Sequence, residues 1–160
     1  MRSKTARAII YVSIFIFINV VVSIYKRFIK LPIEIEFMTF GIVLITYNFG
    51  IKAGLIFAIL GGILSFIVSF NISPFSFPML MGYMLMALIT LFFQYFNITE
   101  SLFLIGIIAS FINNLFVFLF YHIVFDYDMI KNISYSVSNF LFNFLVFYYL
   151  LDLVKVFIIS

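Results

Sequence analysis

Six side chains in this sequence have the chemistry to hold a small polar molecule in an apolar setting: Asn113, Asn114, Asn139, Asn143, Tyr83 and His122. A carboxamide offers an acceptor oxygen and two N–H donors, and the phenol and imidazole each add a donor or an acceptor. Asn139 and Asn143 are four residues apart, so on a helix they share a face. Asn114 and Tyr121, seven apart, are nearly aligned in the same way. The chemistry these residues offer is binding by hydrogen bonds.

Other chemistries are excluded by what the chain contains. It has no cysteine and one histidine, which removes disulfides, thiolate catalysis, thiolate metal sites and multi-histidine metal sites. No HExxH, no Ser/His/Asp cluster in a loop and no phosphate-cradling glycine loop occurs. The chain is therefore expected not to be an enzyme and to carry no metal or other cofactor. No Lys/Arg stripe points to nucleic acid. No row of carboxylates lies within the apolar runs, as ion-driven carriers tend to have.

The elements that must position these residues follow from composition. Of 160 residues, 66% are hydrophobic and 9% charged, where a soluble domain has about 25% charged. A soluble globule of this size has too much surface to hide so much apolar material. The solvent is largely lipid. A bilayer core of about 30 Å takes about 20 helical residues to cross. Apolar runs lie at about 8–25, 37–49, 53–70, 79–95, 102–125 and 135–154. They are apolar all round, unlike the alternating strands of a membrane barrel, and backbone groups in lipid must pair internally. The expected fold is an all-α integral membrane protein, a compact bundle of about six transmembrane helices in a single domain over residues 1–160. The run at 8–25 is longer than a signal-peptide core and no cleavage site follows it, so it reads as a retained helix.

Gly50 and Lys52 mark a tight turn, 71–78 a loop with two prolines, 97–100 a turn, and 126–134 the most polar loop. Six spans put both termini on one side. That side carries Arg2, Lys4, Arg7, Lys52 and Lys155, and the other carries Lys26, Arg27, Lys30 and Lys131. The basic flank of the first helix places the termini in the cytoplasm of a multi-pass cell-membrane protein. Most of the polar intramembrane residues then fall in the outer half, while Gln94 and Asp152 lie in the inner half; Asp152 and Lys155 are spaced to pair at the surface. The asymmetry points to a pocket that opens outward under the loops at 26–36, 71–78 and 126–135. The alternative for each Asn is a hydrogen bond to a neighbouring helix, worth about 0.6 kcal/mol on average. The sequons at Asn71, Asn97 and Asn132 are expected by chance in so Asn-rich a chain.

Gly54, Ala58, Gly61, Gly62, Ser65 and Ser69 recur at helical spacing in the third run. Small residues let helix backbones approach in lipid. The stripe serves either packing within the bundle or an interface for a partner membrane subunit.

Residues 31–95 carry a family resemblance. LPIEIEFMTFGIVLITYNFGIKAGLIFAILGGILSF, with FGIKAG at 49–54, PFSFPMLMGYMLMALI after it, and SNFLFNFL at 138–145 together resemble the S components of energy-coupling factor (ECF) transporters. That resemblance implies a six-helix subunit that binds a vitamin-like micronutrient from outside. Its implied partners, beyond the bilayer and the small-molecule ligand, are a transmembrane coupling subunit and cytoplasmic ATPases. It also implies that Glu34 and Glu36 belong to a gating loop. Ile51 stands where the family's turn has proline, and the alanine-x-x-x-alanine docking signature of helix one is not intact. A second resemblance is to the MreD-like rod-shape family, membrane scaffolds of similar length with a glycine-rich middle helix. Those usually have an acidic residue where the third helix ends, and this chain has none there. A small structural membrane protein is the third reading.

Overall fold

The computed structural model describes residues 2–28, 37–69, 72–74 and 76–158. Among them the chain forms α1 (Arg2–Phe28), α2 (Met38–Phe49), α3 (Ile51–Val68), α4 (Ser76–Tyr95), α5 (Leu102–Phe125) and α6 (Met129–Ile158). The expected all-α bundle is the fold. Five of the helices are long and apolar enough to cross a membrane. Helix α2, with 12 residues, rises only about 18 Å at 1.5 Å per residue.

That short helix is the centre of the molecule. Residues 38–46 are buried without a break, and Met38, Thr39, Ile42, Val43 and Thr46 have no accessible surface. A helix that is hydrophobic all round belongs inside. The other five helices all pack on α2. They form an incomplete ring, with α1 on α3, α3 on α4, α4 on α5 and α5 on α6. Among the described residues α1 and α6 do not meet. Phe40 of α2 sits between them, edge-on to Phe15 of α1 at 6.1 Å and to Phe147 of α6 at 5.1 Å.

The small-residue stripe of α3 makes this enclosure possible. Gly54 lies against Thr46 of α2, Gly61 against Met38 of α2, and Gly62 against Leu80 and Tyr83 of α4. Gly54, Ala58, Gly61 and Gly62 are buried and Ser65 is half-buried. Of the two readings of the stripe, it is the packing within the bundle that these contacts make. The outer faces instead present Ile10 and Phe17 of α1, Ile56 and Ile63 of α3, Leu88 of α4, Leu115 of α5 and Leu141 of α6. So much exposed apolar surface is a lipid contact surface.

Helix ends follow their local chemistry, and two differ from expectation. Gly50 links α2 to α3 alone, at φ +91°, a backbone region open to glycine. Asn97 (φ 49°) ends α4 in the left-handed conformation that Asn tolerates. The polar stretch 126–134 is mostly helix. Asp126 (φ 48°) closes α5, and Asp128 Oδ1 accepts the Lys131 backbone N–H at 2.9 Å, capping α6 from Met129. The loop expected at 71–78 also yields to helix, since α4 starts at Ser76. Pro78 sits in its first turn, where a missing N–H costs nothing.

Replacing Gly54 with Val drives a side chain into Thr46 and parts α2 from α3. The expected loss is about 1–3 kcal/mol, read as a lower thermal midpoint in detergent. Ile63→Val, on the lipid face, is expected to leave the midpoint unchanged. An equal midpoint for Gly54→Val would remove the α2–α3 contact from this account.

Candidate polar site in the bundle

Consecutive helices run antiparallel. Tyr11 of α1 stacks near Phe49 and Phe15 near Phe40. Gly82 of α4 meets Asn113 of α5, and Gly106 of α5 meets Phe147 of α6. The start of α1, the end of α6, Gly50 and the 96–101 turn therefore share one end of the bundle, the near end. The 126–128 turn and the connection from α3 to α4 mark the far end.

A polar line descends the inner face of α6 from the far end: Asn132, Ser136, Asn139 and Asn143, spaced four, three and four. Asn132 has no accessible surface. Its Nδ2 donates to the Phe118 carbonyl of α5 at 2.9 Å, and its Oδ1 has no partner in the chain. The Ser136 hydroxyl is likewise unpartnered. Asn143 Nδ2 donates to Asn139 Oδ1, and Asn143 Oδ1 is left over. Below Asn143 the line turns apolar, through Val146, Phe147 and Leu151. Phe147 presses its ring onto Gly106.

The neighbouring helices add polar atoms at the depth of Asn139 and Asn143. Asn113 is buried with its Oδ1 over Gly82, where even a Cβ would collide, and that oxygen is unpartnered. Asn114 Nδ2 donates to the Ser110 carbonyl one turn back, at 2.9 Å. The α5–α6 contacts Phe111–Phe140 and Phe118–Asn132 set Asn139 level with the Asn113 turn. The α2–α6 contacts Phe37–Phe142 and Phe40–Phe147 set Thr39 beside the level of Asn143. Thr39 Oγ1 is buried without a partner. Four of the expected residues, Asn113, Asn114, Asn139 and Asn143, thus lie within about two helical turns of depth.

Tyr83 belongs to this layer through its backbone neighbour Gly82. Its ring stands parallel to Phe66 at 6.5 Å and covers Gly62. His122 does not join them. It is exposed and stacks on Phe118 of its own helix at 6.2 Å. Glu34 and Glu36 lie outside the described residues, as does the Lys155 side chain expected to pair with Asp152. Asn132 and Ser136 were not expected, although they continue the Asn139/Asn143 spacing backwards. Reading 126–134 as a loop hid Asn132, while Ser136 lay inside the expected sixth span. With its side chain inside the bundle, Asn132 cannot serve as an exposed sequon.

A buried polar atom left unpaired costs about 1–3 kcal/mol. In the near half Gln94 Nε2 answers the Tyr47 carbonyl at 2.8 Å and Thr90 Oγ1 the Met86 carbonyl at 2.9 Å. Thr46 is the unpartnered hydroxyl on that side, clamped against Gly54, while Ser110 lies at mid-depth, level with the stretch between Phe140 and Asn143. The remaining unpartnered atoms, Thr39, Ser65, Asn113, Asn132, Ser136 and Asn143, run from mid-depth to the far end.

Asn132→Ala removes a bond between helices, whereas Asn114→Ala removes one within a turn. The first is expected to lower the thermal midpoint by about 0.6–1.7 kcal/mol and the second by less. The reverse order would show that Asn132 does not tie α6 to α5. No protein-family model matches this sequence, and no curated protein or solved structure matches it.

Proposed function

We propose that this chain is a membrane-embedded substrate-binding subunit for micronutrient uptake, of the kind that the ECF S components represent. It sits in the cell membrane with both termini in the cytoplasm, takes a small molecule from outside at the far end, and relies on a transmembrane coupling subunit and ATPases for energy. One observation carries the reading: the polar line of α6 is blind. It starts at Asn132 near the far end, reaches Asn143 at mid-depth, and stops on Phe147 packed against Gly106 and Phe40. A channel needs polar lining at both ends, whereas a binding subunit needs it at one. Unpartnered buried oxygens supply the hydrogen-bonding capacity to hold a ligand. The orientation is supported by the basic flank that opens α1 at the near end, with Lys4 and Arg7, where Lys52 also lies; Lys26, Arg27 and Lys131 lie toward the far end.

An MreD-like scaffold is the second reading. Asn139 and Asn143 bond each other, as structural Asn side chains do. Asn113, Asn132 and Asn143 nevertheless keep unpartnered oxygens, which a scaffold has no use for.

Mass spectrometry of the purified protein is expected to find a retained small molecule, lost from the Asn139→Ala/Asn143→Ala double variant. If nothing is retained and the double variant takes up every micronutrient normally, the uptake reading fails. Sidedness has its own test, because a chain without cysteine gives a clean background. A single cysteine at Ser136 is expected to react with an impermeant thiol reagent from the outside only. One at Phe147 is expected to resist the reagent from both sides. Labelling of Ser136→Cys from the cytoplasmic side would invert the orientation.

A further inference from the structure

The chemistry of the α6 line narrows what the site accepts. Resting on the binding reading above, we infer that the ligand is an uncharged, slender organic molecule bearing several N–H or O–H donors, and that it lies along α6 from Asn132 to Asn143.

The sign of the hydrogen bonding comes first. Asn132 gives an amide hydrogen to the Phe118 carbonyl, which only an NH2 group can do, so its unpartnered atom is an oxygen. Asn143 spends its NH2 on Asn139 and leaves an oxygen. Asn113 presents an oxygen over Gly82. A carbonyl oxygen accepts and never donates. The complement of three such oxygens is a set of donors. The hydroxyls of Thr39 and Ser136 adapt to either role.

Charge comes second. No charged side chain among the described residues is buried; the buried polar groups are those of Asn, Ser and Thr and the phenols of Tyr83 and Tyr121. An anion would meet carbonyl oxygens, which repel it. An ionised group of either sign taken out of water without a counter-charge costs several kcal/mol. A neutral donor avoids both penalties.

Length comes third. Asn132 and Asn143 are 11 positions apart on one helix, about 16 Å along its axis. A bound cation needs its oxygens within about 2.3–2.6 Å. Oxygens spread over such a track cannot converge on one ion, so carbonyl coordination of a single metal is excluded. A molecule with donors at intervals matches the spacing of these unpartnered atoms. Phe147, at its foot, sets the depth the molecule reaches.

The test uses the full-length protein in lipid nanodiscs, incubated with a defined mixture of neutral, anionic and cationic water-soluble metabolites. After washing, the retained compounds are identified by mass spectrometry. Neutral compounds with at least two donors are expected to be enriched about tenfold over the Asn143→Leu protein. Asn143→Asp keeps the size and the acceptor oxygens while adding a charge. It is expected to turn the preference toward compounds bearing an ammonium group, a gain that misfolding cannot mimic. Retention of anions or cations by the natural protein would overturn the ligand class and leave the binding reading standing. Retention of nothing, with the track holding water only, would overturn both. Neutral compounds retained equally by Asn143→Leu, with no change of preference in Asn143→Asp, would place the ligand elsewhere and overturn the α6 track.

Discussion

Everything in this molecule depends on enclosing a helix on all sides without water. Residues 38–46 of α2 touch neither lipid nor solvent, so five other helices must come close enough to cover them. Between helices in lipid there is no hydrophobic driving force, and close packing must hold them. Hence the glycines of α3 face Thr46 and Met38, and bulky rings fill the wider gaps: Phe15, Phe57 and Phe147 around Phe40 and Gly41. The near half of the bundle is the tightly satisfied part. The Tyr47 carbonyl near the end of α2 takes its hydrogen bond from Gln94, a contact between residues far apart in the chain that locks α4 to the α2–α3 hairpin.

The far half has a different character. Its helices carry polar side chains whose bonds are only half made: Asn132 and Asn143 each use the amide hydrogens and keep the oxygen. Such atoms weaken the bundle relative to an apolar filling. A protein that concentrates this cost along one line of α6, and stops the line on Phe147, is divided into a base whose polar groups are satisfied and a top whose polar groups are half satisfied. That division is the physical basis of the uptake reading.

Much of this was legible in the sequence, because the strongest signals are physical ones that survive without context. Long apolar runs identify membrane helices, Gly50 identifies a turn, and the spacing of Gly54, Ala58, Gly61 and Gly62 identifies a packing face. The Asn139/Asn143 pair was legible for the same reason of periodicity. What hid the rest was a reversal of the usual code. At 129–134 the apolar Met129, Ile130 and Ile133 are exposed and the polar Asn132 is inside, so a hydropathy reading takes the segment for a loop. His122 failed in the opposite way. It follows the buried Tyr121 by one position, and that turn of about 100° puts it on the exposed side. Nor does hydropathy distinguish α2, central and short, from a complete span; only its 12-residue length hints at it.

The enclosure of α2 also dictates an order of assembly. Helix α2 precedes α4, α5 and α6 in the chain and is joined to α3 by the single-residue link at Gly50. Its covering comes from α4, α5 and finally α6, whose Phe147 closes over Phe40. During synthesis the centre of the bundle therefore faces lipid until α4, α5 and α6 are made. Apolar side chains tolerate that wait, and the polar side chains of α2 are Thr39, Thr46, Tyr47 and Asn48, the last with its Nδ2 already bonded to the Leu44 carbonyl one turn back. The core is thus the part of the chain best suited to being left uncovered, and α6 the part whose loss would leave it so permanently.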